Sequence, residues 1–176
     1  LFAGMISKRM GLPIGKFISS NNSNNVVDVY MKTQKYIPKA SIKTISNAMD
    51  VGDPSNFIRI QELYKNYNNL KNDMYTASYS DNETASAILE LFTNYNYLSD
   101  PHGAVGYLGA KDFLKSNSNF HCIFLGTAHP SKFIDVVENI ISQKIELPQQ
   151  TKLLLDKPKK SKNIKSYLEF KSYLLS

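Results

Sequence analysis

The sequence predicts an incomplete α/β domain, on three observations. Phe120-His121-Cys122-Ile123-Phe124-Leu125 is a continuous apolar run, the pattern of a strand covered on both faces in a parallel sheet. It ends at Gly126-Thr127-Ala128-His129-Pro130, after which Phe133, Val136, Val137, Ile140 and Ile141 recur on one side of a helix. Upstream, helix-start signals at Asp53-Pro54, Ser80 and Asp100-Pro101 each precede apolar residues at helical spacing. Strand, glycine turn and helix form half of an α/β crossover. In open α/β sheets ligands sit beyond the carboxyl ends of the strands, which puts the Thr127 hydroxyl and the start of the next helix in the expected ligand position.

The elements follow in order. Leu1 to Met10 reads as an amphipathic helix with Leu1, Phe2, Met5 and Ile6 on one side and Gly11 placed to stop it. No capping residue precedes Leu1 and the basic residues follow the apolar ones, so the expectation is a piece of something longer rather than a signal peptide. Lys16 to Ser20 reads as a short strand, the polar cluster Asn21 to Asn25 as a turn, and Val26 to Met31 as a helix. Thr33 to Asp53 has weak periodicity and contains Pro38, so it is expected to be mostly irregular, and irregular stretches that long are usually functional or linkers. Asp53 is the cap candidate of a helix carrying Phe57, Ile60 and Leu63. Ser80-Asp81-Asn82-Glu83 starts a second, with Ala87, Ile88, Leu91 and Phe92. Asp100-Pro101 starts a third, with Val105, Leu108 and Phe113 inward, and its Gly103, Gly106 and Gly109 suggest close backbone approach, because glycine otherwise costs about 1 kcal/mol each in a helix.

Composition narrows the classes. With 176 residues, 42% hydrophobic and 20% charged, the chain can bury a core without metals or disulfides. No apolar run approaches the length of a membrane span. The formal net charge is +6, and eight lysines from Lys144 onward, against Glu146, Asp156 and Glu169, account for most of it. The rest is nearly neutral. This basic tail lacks the interleaved aromatic residues of single-strand binders, so a solvated face is the expectation and nucleic acid is not an expected partner. The single cysteine, Cys122, reads as a buried thiol in a reducing compartment.

Few residues offer chemistry by themselves. Thr127 either caps the following helix or meets a ligand. His129 reads as a surface cap residue and His121 as structural, while His102 either orients a phosphate or is a satisfied structural histidine. The three histidines lack metal-ligand spacing, and no phosphate-loop, dinucleotide or nucleophile-elbow motif occurs.

Four strings, however, resemble threonine synthase in order and spacing from Leu1 to about Leu147: Ala3-Gly4-Met5-Ile6-Ser7-Lys8-Arg9-Met10-Gly11-Leu12-Pro13, Ser46-Asn47-Ala48-Met49-Asp50-Val51 with Pro54-Ser55-Asn56-Phe57 following, Asp100-Pro101-His102-Gly103-Ala104-Val105, and Gly126-Thr127-Ala128-His129-Pro130-Ser131-Lys132-Phe133. The resemblance implies pyridoxal-phosphate fold type II, a three-layer parallel-sheet domain. Residues 1–147 would be the later part of the cofactor domain and residues 148–176 a basic extension.

It also implies conversion of O-phospho-L-homoserine and water to L-threonine and phosphate in the cytoplasm, with pyridoxal 5'-phosphate as electron sink. By the same resemblance, Thr127 would face the ring nitrogen, Asp100 and His102 would run beside the cofactor, and Asn47 and Asp50 would line the substrate side. No Ser-Phe-Lys-Asp-like string carrying the cofactor-holding lysine occurs here, and the phosphate-cradling glycine loop would precede Leu1. The remainder of the same protein is therefore an expected partner, a metal and a membrane are not, and the chain by itself is expected to be inactive. Two readings compete: a related phospholyase that eliminates phosphate without making threonine, and a small α/β binding module with a basic tail.

Overall fold

A computed structural model describes residues 1–155 and 157–176; Asp156, counted above in the charge of the tail, lies outside the described residues. The chain divides into two compact units, Leu1–Ile145 and Glu146–Ser176. In the first, β1 (Phe17–Asn21) and β2 (Met74–Ser78) pair in parallel, Phe17 opposite Met74 and Asn21 opposite Ser78. Between them lie α2 (Val26–Thr33), α3 (Phe57–Tyr64) and α4 (Tyr67–Asp73), with α1 (Phe2–Arg9) ahead of β1. After β2 come α5 (Asp81–Tyr95), α6 (Pro101–Ser116) and α7 (Ile134–Ile141).

Period-two alternation in the strands builds three layers. Phe17 and Met74 point to one side of the sheet and join Met5, Met31, Phe57, Ile60 and Leu70 in a core. On that side the buried Asp28 of α2 accepts from Thr76 Oγ1 at 2.8 Å and from Lys32 Nζ at 2.7 Å. Ile18, Ser20 and Tyr75 point to the other side, where α6 lies: the Tyr75 and Phe113 rings meet edge-on at 5.5 Å. A Cβ on Gly109 would collide with Ser20 Oγ and come within 3.0 Å of Ile18 Cγ2, so the expected close approach exists and its target is β1. A second core, Ala87, Ile88, Ala104, Phe133, Val137 and Ile141, joins α5, α6 and α7.

Most expected elements form. Gly11, at φ +99°, lies just beyond α1 in a conformation open to glycine. α5 carries a full capping box: Ser80 N–H donates to Glu83 Oε2 at 2.8 Å, and Glu83 N–H donates to Ser80 Oγ at 3.3 Å. The 33–53 segment is irregular apart from a 3₁₀ turn at Asn47–Met49. The short α4 and strand β2 went unanticipated. Asn66 caps α4, accepting from Asn68 N–H at 2.8 Å, and β2 is a Met-Tyr-Thr-Ala-Ser run that follows α4 directly, Asn72 and Asp73 belonging to that helix.

Four expectations fail. Phe120 to Leu125 is not a strand here: no described residue offers it a ladder, and only one face packs, Phe124 lying between Tyr97 and Tyr107 at 6.2 and 6.1 Å between ring centroids. Ile123 and Leu125 on the opposite face are 89% and 74% exposed. An apolar run states that burial is favourable but not what buries it. Consequently Cys122 is half-buried rather than buried, although what burial it has pushes its thiol pKa up, and His121 is exposed rather than structural. Asp53 does not cap α3. It accepts from Tyr36 Oη at 2.7 Å instead, and the helix begins at Phe57 after a turn.

The second unit contains α8 (Gln149–Leu155) and α9 (Tyr167–Leu175). Ser166 caps α9, accepting from Glu169 N–H at 3.2 Å, and Lys162 Nζ lies 4.5 Å from the centroid of the Tyr173 ring.

Candidate functional site

The carboxyl end of β1, the turn at Asn47–Met49 and the start of α6 enclose a cavity of about 80 Å³ lined by Ser20, Asn21, Asn22, Asn24, Ser46, Met49, His102 and Val105. It sits where an open parallel sheet holds ligands. Strings from separate parts of the sequence converge on it: the asparagine cluster, the Ser46 to Val51 segment and the Asp100 to Val105 segment.

The asparagine cluster is a fastener. Asn22 Nδ2 lies 3.0 Å from Thr44 Oγ1, 2.9 Å from Ser46 Oγ and 3.0 Å from Asp50 Oδ1. Its two hydrogens are thus shared among three acceptors. Asp50 Oδ1 also accepts from Thr44 Oγ1 at 2.7 Å and Asn24 Nδ2 at 3.1 Å, while Oδ2 accepts from Thr44 N–H at 2.9 Å. Asn24 Oδ1 accepts from Ile42 N–H at 2.8 Å. These bonds tie the irregular 42–50 segment to the end of β1. Buried polar groups need such partners, and here the partners are one another. Asp50 is thereby turned toward the protein and does not line the cavity, whereas Asn47, on the same turn, is exposed.

Asp100 and His102 form the other wall. Asp100 caps α6 and is 2% exposed. Its Oδ1 accepts from the His102 backbone N–H at 3.0 Å and takes a bond from ring Nδ1 at 2.8 Å. Burial pushes the Asp100 carboxyl up, but the bonds from the His102 ring and backbone, the His102 charge and the Gly103 N–H outweigh it and hold the pKa below the usual carboxylate range. The His102 ring rests against Phe133 at 5.0 Å, its side chain only 9% exposed. Nε2 is buried and finds no hydrogen-bond partner among the described residues. The satisfied-histidine reading therefore holds for one ring nitrogen and not for the other.

Thr127 is exposed, makes no hydrogen bond to a described side chain and stands outside the cavity lining. It does not cap the following turn. His129 does, its Nδ1 accepting from Ser131 N–H at 3.2 Å, so His129 is the surface cap residue its position suggested. Of the five residues singled out from the sequence, the structure joins Asp100 and His102 directly and brings Asp50 into the fastener beside them. Asn47 and Thr127 stand on exposed loops. Ser20, Asn21 and Asn22 were missed as site residues, although the five-residue polar cluster directly after a short strand was the available signal. Among the described residues no group of three or more His, Cys, Asp or Glu is placed to hold a metal ion.

The chain resembles known proteins throughout. Residues 103–173 match the family model described as "Threonine synthase, C-terminal". Threonine synthase of Buchnera aphidicola subsp. Acyrthosiphon pisum is 41% identical over 99% of this chain and 40% of its own length. That of Escherichia coli is 38% identical over 93% of the chain and 38% of its own length. The crystal structure of Escherichia coli threonine synthase superposes with a TM-score of 0.87 at 34% identity, covering 99% of this chain and 40% of that one. A structure described as pyridoxal-phosphate-bound threonine synthase, from Brucella melitensis, has a TM-score of 0.73 at 26% identity, covering 85% and 37%. The chain spans about two fifths of the length of the relatives it matches. Motif strings that resemble one enzyme, an identity sustained from end to end and a shared fold agree: this chain belongs to the threonine synthase family.

Proposed function

We propose that this chain forms the later part of the cofactor domain of a cytoplasmic threonine synthase, residues 1–147 contributing to that domain and residues 148–176 extending from it. The whole protein is then a lyase of amino-acid biosynthesis that turns O-phospho-L-homoserine and water into L-threonine and phosphate. The observation that carries this reading is the convergence of the Asp100–His102 pair, the Ser46–Met49 segment and the end of β1 on one polar cavity.

Pyridoxal 5'-phosphate supplies an electron sink when bound. The residues here suit it in two respects: among the described residues the buried Nε2 of His102 has no partner and the Thr127 hydroxyl, on a glycine turn, makes no hydrogen bond to a side chain. In this reading Thr127 faces the ring nitrogen. A hydroxyl there, neutral where an aspartate would be anionic, keeps that nitrogen less protonated and so tunes the sink. Asp100 and His102 line the cofactor side. Asn47 projects toward substrate, and Asp50 acts by holding that loop in place through Thr44, Asn22 and Asn24. The cofactor-holding lysine belongs to another part of the protein, so the chain alone does not turn over. No described helix is long and apolar enough to cross a membrane.

The test is product analysis of the full-length protein carrying this chain, supplied with O-phospho-L-homoserine and pyridoxal phosphate. Threonine and phosphate in equal amounts support the reading. Phosphate with a keto acid and no threonine replaces it with a phospholyase.

A further inference from the structure

We infer that the Glu146–Ser176 unit is a docking surface for the remainder of the same protein. That remainder encloses α9 with apolar side chains and meets the surrounding lysines with carboxylates. Such docking is independent of which reaction the whole protein carries out.

The unit has no core of its own. None of its described residues is buried, and Tyr167, Leu168, Phe170, Tyr173, Leu174 and Leu175 of α9 are 47–78% exposed. Leu153, Leu154 and Leu155 of α8 are exposed in the same way. Large apolar side chains left together in water mark an interaction site. At about 100° per residue, the six of α9 span an arc of about 220°. A helix that covers a core on one side needs a stripe of about 100°, whereas one apolar over most of its circumference is built to be enclosed. Only Glu169 and Ser172 occupy the remaining face. Lys171 falls within the arc, where its stem can lie along apolar surface and its ammonium reach the rim.

The occupant follows from family extent and charge. The family match runs to residue 173, and the Acyrthosiphon pisum Buchnera relative is 41% identical over 99% of this chain. The match spans 40% of that relative, so about three fifths of its length lies outside it, ample to enclose a nine-residue helix. Residues 157–176 hold six lysines against Glu169 alone. The same segment of a second copy would set like charge on like, which opposes pairing. A lipid surface would suit the lysines, but a helix lying on one turns basic residues to its polar face, and that face of α9 holds Glu169 and Ser172. The rest of the protein can meet both demands, apolar contact for α9 and opposite charge for the lysines. The open groove of about 550 Å³ lined by Lys162, Lys165 and Tyr173 is where one such carboxylate fits.

The experiment uses the full-length protein. Carbodiimide coupling of lysine to carboxylate, read by mass spectrometry, should join lysines between Lys157 and Lys171 to Asp or Glu outside residues 1–176. Mixing ¹⁴N- and ¹⁵N-labelled protein separates links within a molecule from links between copies. A helix as short as α9 is marginal alone in water, so slow amide exchange reports its enclosure. Amides of residues 167–175 should exchange about 100-fold or more slower than in an unfolded peptide. The double variant L168E/L174E keeps helix-forming residues, yet should abolish that protection and lower the midpoint of thermal unfolding by several degrees. K159Q, which removes one solvated charge, should change neither. Unprotected amides at 167–175 in the unsubstituted protein overturn the docking. So do links confined to residues 1–176, links found only between copies, or protection that appears only with anionic phospholipid vesicles. Threonine formation in the same preparation decides the function proposed above separately.

Discussion

Replacing Gly109 with Ala sets two opposing effects against each other. On an exposed helix the change is favourable by about 1 kcal/mol, since alanine holds helical conformation more readily than glycine. At this position the new Cβ collides with Ser20 Oγ and lies 3.0 Å from Ile18 Cγ2 and 3.1 Å from Ser20 Cβ. Ser20 Cβ is bonded directly to the backbone of β1, so relief requires strand and helix to separate. Overpacking of this kind costs about 1–3 kcal/mol, and the close contact with strand atoms puts G109A toward the upper end, for a net loss of about 1–2 kcal/mol. Urea denaturation of G109A beside the unsubstituted chain measures it. S20A removes the colliding hydroxyl, so the G109A change should cost less in the S20A background, by about 0.5 kcal/mol or more, the scale on which contacting residues couple. A G109A chain as stable as its parent, or a cost independent of Ser20, would refute the argument that α6 is seated against β1 through this glycine. G106A is the control: its Cβ would meet Phe124 Cβ at 3.3 Å on a loop that can yield, so the helical gain of up to about 1 kcal/mol should survive and stability should hold or rise.

Ile88 is fully buried where α5 meets α6 and α7, so I88A should cost about 2–5 kcal/mol, read as a lower denaturation midpoint; a change near zero would mean that these helices do not share a core. S80A deletes one arm of the capping box on α5 and should cost about 1 kcal/mol, measured by urea denaturation and helical circular dichroism, while S80D should retain most of that stability. D100N keeps a residue able to cap α6 and removes the charge. Because the Asp100 pKa is depressed on folding, the carboxylate's contribution is full above its unfolded value of about 3.9 and disappears as pH falls through the lower folded value. D100N should therefore be less stable than the parent at pH 6, and the gap should close below about pH 4 in an acid titration series. A gap that widened on acidification would reverse the sign of the argument.

Local signals in the chain carried the helices and the family motifs. The Ser80–Glu83 pair announces its own capping box, because the partners lie three residues apart on one turn. Asp100-Pro101 announces a helix start, and the glycine spacing of α6 points to a close neighbour. Lys16 to Ser20 was legible as a short strand between Pro13 and the asparagine cluster. Likewise the four motif strings, read in order, pointed to the family with no coordinates in hand.

Long-range partnership was not legible. Only the folded chain decides that Gly109 meets Ser20, that Asp28 answers Thr76, and that Asn22 holds Thr44, Ser46 and Asp50 from more than 20 residues away. The apolar run at 120–125 was misjudged for the same reason, since hydrophobicity specifies a preference for burial and not the surface that satisfies it. His102 shows the division within one side chain: proximity in sequence to Asp100 determines where Nδ1 is bound, whereas the burial of the ring against Phe133 is decided by how the chain after Pro130 packs on α6. Helical caps and periodicities are set by bonds spanning a few residues, which a sequence states directly, while a cavity exists only where distant segments meet.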